Sequence, residues 1–216
     1  MSEGFASITC SCGLCRISVL DSQVRYSMEC LCLDCRQRAM ISAHLGNDRA
    51  FPESLRTREH GIHIIYFANA LQVSDGAQEL LQYRKLRAGA FNTTAYARCC
   101  GTIMMSTHPA YEGQSISVLP DNCIVEDVHD EPISMRLFAG DFPADKLDAL
   151  ESVGTLPVVY SPYEEMDGQA MASFIQAVTT PVGKASSFQG SITYESLYAE
   201  ADILIDDLLF HDSRLP

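Results

Sequence analysis

Positive charge is scarce in this chain. Only 15 Lys and Arg stand against 28 Asp and Glu, giving a formal net charge of −13 over 216 residues. Neutralising phosphates needs clustered cations, so nucleic-acid binding is not expected, and adsorption to anionic lipid is disfavoured for the same reason. Long apolar runs are missing too. None approaches the roughly 18 residues of a spanning helix, so no membrane role is expected. The opening MSEGFASITC lacks the basic-then-apolar order of a secretory leader. There is no P-loop, no dinucleotide glycine fingerprint and no Ser-His-Asp order, and neither an internal repeat nor a low-complexity tract. With 47% hydrophobic and 20% charged residues, the balance is that of a globular protein. These absences lead to the expectation of a soluble, cytoplasmic protein.

What the chain has in quantity is cysteine. Nine cysteines in a reducing compartment do not make a disulfide framework, and their number is odd. Six of them fall in two tight clusters before residue 36, for which metal is the better explanation.

The expected fold class is mainly β: a compact β-sheet domain over residues 1–139 tied together by zinc, followed by a helical C-terminal extension over 140–216. Residues 5 to about 28 read as a β-meander, with Ile17 and Val19 alternating against Arg16 and Ser18, then Val24, Tyr26 and Met28. From Asp34 to about Leu45 the spacing predicts a short helix that begins inside the second thiol cluster. Its N-terminal amides and dipole would favour anionic sulfur. IHIIYFA (62–68) reads as a strand, residues 80–98 as strands around a turn at Gly89, and TIMMST and SISVL as two more. Helices are expected over 143–153, 163–178 and 194–210, with apolar stripes that must cover either the β domain or a second copy of the chain in a homodimer.

The cysteines form three clusters: Cys10, Cys12 and Cys15 in TCSCGLC; Cys30, Cys32 and Cys35 in CLCLDC; Cys99 and Cys100 in RCCGT. A structural zinc takes four ligands, and soft thiolates suit it. Gly13 and Gly101 stand where metal-binding turns need a permissive backbone. The first and third clusters can supply one such site, most simply from Cys10, Cys12, Cys99 and Cys100. Consecutive strand residues point apart, so Cys99 and Cys100 both ligate only if the chain bends there. Otherwise Cys15 takes one place and Cys99 is a buried thiol. The second cluster offers three thiols without an obvious fourth ligand, since His44 lies on the opposite helix face from Cys35. Two readings follow. One is an open zinc site able to hold a soft thiolate from a substrate, and the other is a closed structural site completed by Cys15, Asp34 or another group, or no metal there at all. Three thiolates leave zinc with a net charge of about −1 and make it a poor activator of water, which favours a thiol ligand over metal-hydroxide hydrolysis.

TCSCGLCRISV, CLCLDCRQ and CCGTIM together resemble the zinc-binding superfamily of glutathione-dependent formaldehyde-activating enzyme and centromere protein V, over about residues 5 to 125. The resemblance implies a zinc-tied β fold. It implies a structural zinc on Cys10, Cys12 and the CCGT cysteines, and a substrate-side zinc on Cys30, Cys32 and Cys35, two per chain. The activity it implies is carbon–sulfur bond formation or cleavage between a small-molecule thiol, such as glutathione, and a small electrophile. The chain departs from the family pattern at Ala97, where a cysteine is usual, which marks a divergent branch. Arg36, Arg38, Arg84, Lys85 and Arg87 are candidates for binding a substrate's carboxylates, although solvated surface is the commoner fate of such residues. His108, Tyr111 and Glu112 occupy a loop that can reach a substrate. His60 and His63 read as surface or packing residues, and Cys123 as a buried core thiol. The alternative to an enzyme is a zinc-stabilised binding or dimerisation module.

Overall fold

In the computed structural model, residues 5–46, 57–87, 89–128, 131–151, 156–166, 168–183 and 202–203 are described. The described part is mainly β, with two sheets and few helices. The smaller sheet has the order β10 (Ile124–Glu126), β1 (Ala6–Thr9), β2 (Arg16–Val19), β5 (Leu71–Val73). The larger one runs β12 (Val158–Val159), β11 (Arg136–Leu137), β3 (Tyr26–Cys30), β4 (Ile62–Ala68), β9 (Ser115–Val118), β8 (Ile103–Thr107), β7 (Thr93–Ala97), β6 (Leu81–Lys85), β13 (Asp202–Ile203). Among the described residues four α-helices accompany them: α1 (Leu33–Leu45), α2 (Asp75–Glu79), α3 (Ala144–Glu151) and α4 (Gln169–Thr179).

The arrangement is three-layered because the larger sheet buries both of its faces. Ile65, Phe67, Ala95 and Ile116 face Ile8, Ile17 and Val19 of the smaller sheet. Ile62, Ile64, Tyr66 and Tyr96 face Ala39 and Ile41 of α1 and Met171, Phe174 and Val178 of α4. Tyr26, Tyr66 and Tyr111 surround Phe174 edge-on, with the Tyr66 centroid 5.2 Å away. Aromatic rings in such T-shaped contacts add to the burial of their area. The apolar stripe of α4 is therefore spent on the sheet.

Several expectations need correction. The first three strands are not one meander. β1 and β2 form an antiparallel hairpin, but β3 crosses to the other sheet and pairs with β4 and β11. That central position buries Ser27, Met28, Glu29 and Cys30 alike, so the alternation of β2 (exposed Arg16, buried Ile17, buried Val19) is absent from β3. The helix expected from 163 starts only after Gly168. The carboxylate of Glu165 folds back to accept from the amides of Tyr160 and Ser161, closing a turn that leaves Met166 exposed. Of the helix expected over 194–210, all but 202–203 lies outside the described residues. Asp202 and Ile203 are strand, paired in parallel with Arg84 and Lys85 on the open edge of β6.

Gly101 joins the third cluster to α1. Its φ of +68° is left-handed, and a Cβ there would lie 2.6 Å from the backbone carbon of Leu45. Ser42 of α1 donates to the Gly101 carbonyl at 2.7 Å. Gly101→Ala should therefore cost about 2–3 kcal/mol in urea denaturation, from left-handed strain plus overpacking. A loss below about 0.5 kcal/mol would show that the contact yields.

Candidate metal centres

The turn after β1 and the turn after β7 meet at the end of the two-sheet stack. Gly13, at φ +81°, donates its amide to the Cys10 carbonyl at 2.9 Å and turns Cys12 back beside Cys10. On the other side the chain bends at 98–100, where the amides of Cys100 and Gly101 both donate to the Ala97 carbonyl. That bend lets the adjacent cysteines share one site. The four sulfurs of Cys10, Cys12, Cys99 and Cys100 all lie within 4.8 Å of one another. Cys10–Cys12 is 3.5 Å, Cys10–Cys99 3.7 Å and Cys12–Cys99 3.4 Å. Bonds of about 2.3 Å in a tetrahedron would put sulfurs about 3.8 Å apart, so the group fits a four-thiolate zinc with little adjustment.

Cys15 is not part of it. The Cys15 thiol donates to the Ala77 carbonyl at 3.7 Å, and burial pushes its pKa up to about 12. Ala97 is a buried strand residue, and Cys99, two residues on, belongs to the four-sulfur group. Thr102 ties the two turns together: its Oγ1 accepts from the Ser11 amide at 3.1 Å and lies 3.2 Å from the Cys100 sulfur. Burial pushes the Cys100 thiol up, but hydrogen bonds from Thr102 and Ser11 outweigh it and hold it at about 5. A preformed thiolate is a ready metal ligand.

The second group forms where β3 gives way to α1. Cys30 ends the strand, Cys32 is the N-cap and Cys35 lies in the first turn. The Cys32 sulfur accepts the Cys35 amide at 3.2 Å, filling the capping position that an oxygen usually occupies. Cys30–Cys32 and Cys30–Cys35 are both 3.3 Å apart. Opening these distances by about half an ångström would seat zinc. Hydrogen bonds with Cys30 and Cys32, together with the Arg38 guanidinium, hold the Cys35 thiol well below its usual range, while hydrogen bonds with Cys32 and Cys35 and burial push Cys30 up. Among the described residues no fourth His, Cys, Asp or Glu joins the three. His44 is exposed near the far end of the helix. Asp34 faces outward in a two-point pair with Arg87, at 2.7 and 3.0 Å.

Arg38 departs from expectation. It is not solvated surface but 4% exposed, its Nη2 donating to the Cys35 sulfur at 2.9 Å. Arg36 is buried as well. Arg84 and Lys85 lie on β6, well along the sheet, at the edge joined by β13.

A shallow cleft of about 10 Å³, room for about one water molecule, opens against this group. Cys30 and Cys32 line it, with Arg36, His60, Ile62 and Phe142; Cys35 does not. Leu31, Gly61 and Arg58 line it too, the Arg58 guanidinium 4.9 Å above the Phe142 ring. His60 thus belongs to a cleft wall, whereas His63 bonds Ser27 at 3.0 Å. On the sheet side, Tyr111 is buried with its hydroxyl 3.4 Å from that of Tyr66. His108 caps the turn before it by accepting the Ala110 amide at 3.0 Å, and Glu112 is exposed. Tyr66, Arg58 and Phe142 carried no signal in the sequence, because each is brought to the thiols only by strand pairing or by the loop before α3. Cys123 is a buried thiol pushed up to about 12 by burial.

Among the described residues no helix is long and apolar enough to cross a membrane. No family model matches the sequence, and no curated protein matches it either.

Proposed function

We propose that the chain is a two-zinc protein of the formaldehyde-activating type. In this reading the Cys10 group is structural, and the Cys30 group receives a small-molecule thiol that forms or breaks a bond to a small electrophilic carbon. The carrying observation is that three sulfurs converge without a fourth ligand among the described residues, beside a cleft that two of them line. Zinc, when bound, would hold an incoming thiol by its sulfur and favour its anionic form.

The rest is done by the chain's own residues. The helix N-terminus and its capping amide stabilise negative charge on Cys32, and Arg38 does so on Cys35. Phe142 and Ile62 give the cleft an apolar wall against which a small carbon group can rest, and Arg58 supplies a cation at its edge. The bond change balances without an outside reagent. The thiol sulfur adds to a carbonyl carbon, the π pair moves to oxygen, and that oxygen takes the proton that the sulfur gave up. The reverse reaction restores both.

The test is metal content per chain by mass spectrometry for wild type and Cys32→Ser, with glutathione binding by calorimetry. Wild type should hold two zinc ions and bind the thiol. Cys32→Ser should stay folded, because serine also caps helices, yet hold one ion and bind thiol at least about tenfold more weakly. A wild type with one ion or none, or with no affinity for thiols, would leave a zinc-stabilised binding module as the better description.

A further inference from the structure

We propose that Arg38 is a positioning residue that gives the Cys30 group its preference for an anionic ligand, an inference that rests on the thiol reading above. Arg38 follows Cys35 by three residues on α1, so both side chains project from one face of the helix. Its guanidinium spans two layers. Nη2 reaches the Cys35 sulfur at 2.9 Å, while Nη1 donates to Ser106 Oγ at 3.0 Å on β8 and to Thr94 Oγ1 at 3.3 Å on β7. Those two hydroxyls are themselves 3.0 Å apart and buried, so the fork is held from the sheet side.

The partners are telling. Ser106 and Thr94 are neutral, and among the described residues no carboxylate lies within ion-pair distance of Arg38. A fully buried arginine keeps its charge, and an isolated buried cation is costly. Its anionic neighbours are the thiols.

Charge counting gives Arg38 its role. Three thiolates on a divalent ion leave about one surplus negative charge. A fourth anionic ligand would raise that to about two in a buried setting, where like charges repel strongly. The guanidinium cancels the first surplus charge, so an incoming thiolate brings the assembly only to about −1. A neutral ligand gains nothing comparable. Arg38 thus selects ligand charge from behind the thiols, while the cleft by Cys30 and Cys32 governs access.

The test uses the full chain loaded with cobalt(II), read by sulfur-to-cobalt absorption in the near ultraviolet. It is titrated separately with 2-mercaptoethanol and with imidazole. In Arg38→Gln, thiol affinity should fall by about tenfold or more while imidazole affinity changes by less than about twofold. Arg38→Lys keeps the charge and should keep the thiol-to-imidazole ratio within about threefold of wild type. If Arg38→Gln does not fold, this lysine variant carries the test, and a ratio reduced by about tenfold overturns the inference. Equal weakening of both ligands in Arg38→Gln would mark a purely structural role and overturn it as well, as would no change in either. A wild type that binds imidazole but ignores the thiol would instead overturn the thiol reading, and this inference with it.

Discussion

Cys99→Ser should lose one of two metal ions and unfold at a temperature lower by about 10 °C, which corresponds to roughly 4 kcal/mol for a chain of this length. The size of the effect follows from what the site joins. Cys10 and Cys99 are 89 residues apart in sequence, and their sulfurs are 3.7 Å apart in space. Holding two turns across so long a loop removes much of the freedom of the unfolded chain, and loop entropy grows with the length closed. A serine hydroxyl is a poor substitute for a thiolate on a soft ion, and the three remaining sulfurs would be left in mutual repulsion. Two controls sharpen the result. Cys15→Ser should leave the metal count at two, because that thiol bonds the Ala77 carbonyl instead. Chelation of the wild type should reproduce the loss of stability, which no substitution in the core would do. If Cys99→Ser kept both ions and lost less than about 1 kcal/mol, the four-sulfur group would not be a structural metal site.

A loss of similar size is expected where no cysteine is involved. Glu29 and Arg136 form an ion pair at 2.8 Å with both side chains 8% exposed, and the other Glu29 oxygen accepts the Gly61 amide at 2.7 Å. Glu29→Ala strands a buried guanidinium and a buried amide together, so urea denaturation should register a loss of about 3–5 kcal/mol. The pair binds β11, and through it β12, to the edge of β3. The reciprocal test is apolar replacement of both partners. Glu29→Met combined with Arg136→Leu should recover more than half of the loss, because neither charge is then left alone. A double variant as unstable as Glu29→Ala would mean that the strand pairing itself needs the carboxylate.

Much of the local structure was legible. The helix at 34–45, the strand at 62–68, the hairpin about Gly89 and the cysteine grouping all rest on short-range signals: periodicity, turn glycines and thiol spacing. Adjacent cysteines can share one site only where the chain bends, and it does so at 98–100, just before the left-handed Gly101. What escaped was decided at long range. β3 reads as the third strand of a meander until Met135 and Leu137, more than 100 residues later, accept hydrogen bonds from its end. Burial on both faces then erases the alternation that identifies a strand. The burial of Arg38 is illegible in the sequence for a related reason. An arginine on a short helix is normally solvated, and nothing nearby in sequence announces that Thr94 and Ser106 will receive it. The short strands β5, β10, β11 and β12 have two or three residues each, too few to carry a period.

The contact between Gly101 and Leu45 has one more consequence. A helix of 13 residues is a rod of about 20 Å, and in most proteins its terminal turns come undone many times before the whole molecule does. α1 has neither end at liberty. Its first turn is closed onto the sulfur of Cys32, and its last lies against a glycine that immediately follows the other cysteine group. Unwinding from the front would break up one thiol cluster. Unwinding from the back would loosen the turn that aligns the other. The helix therefore has no fraying end, and its two cysteine centres are joined by a single stiff element.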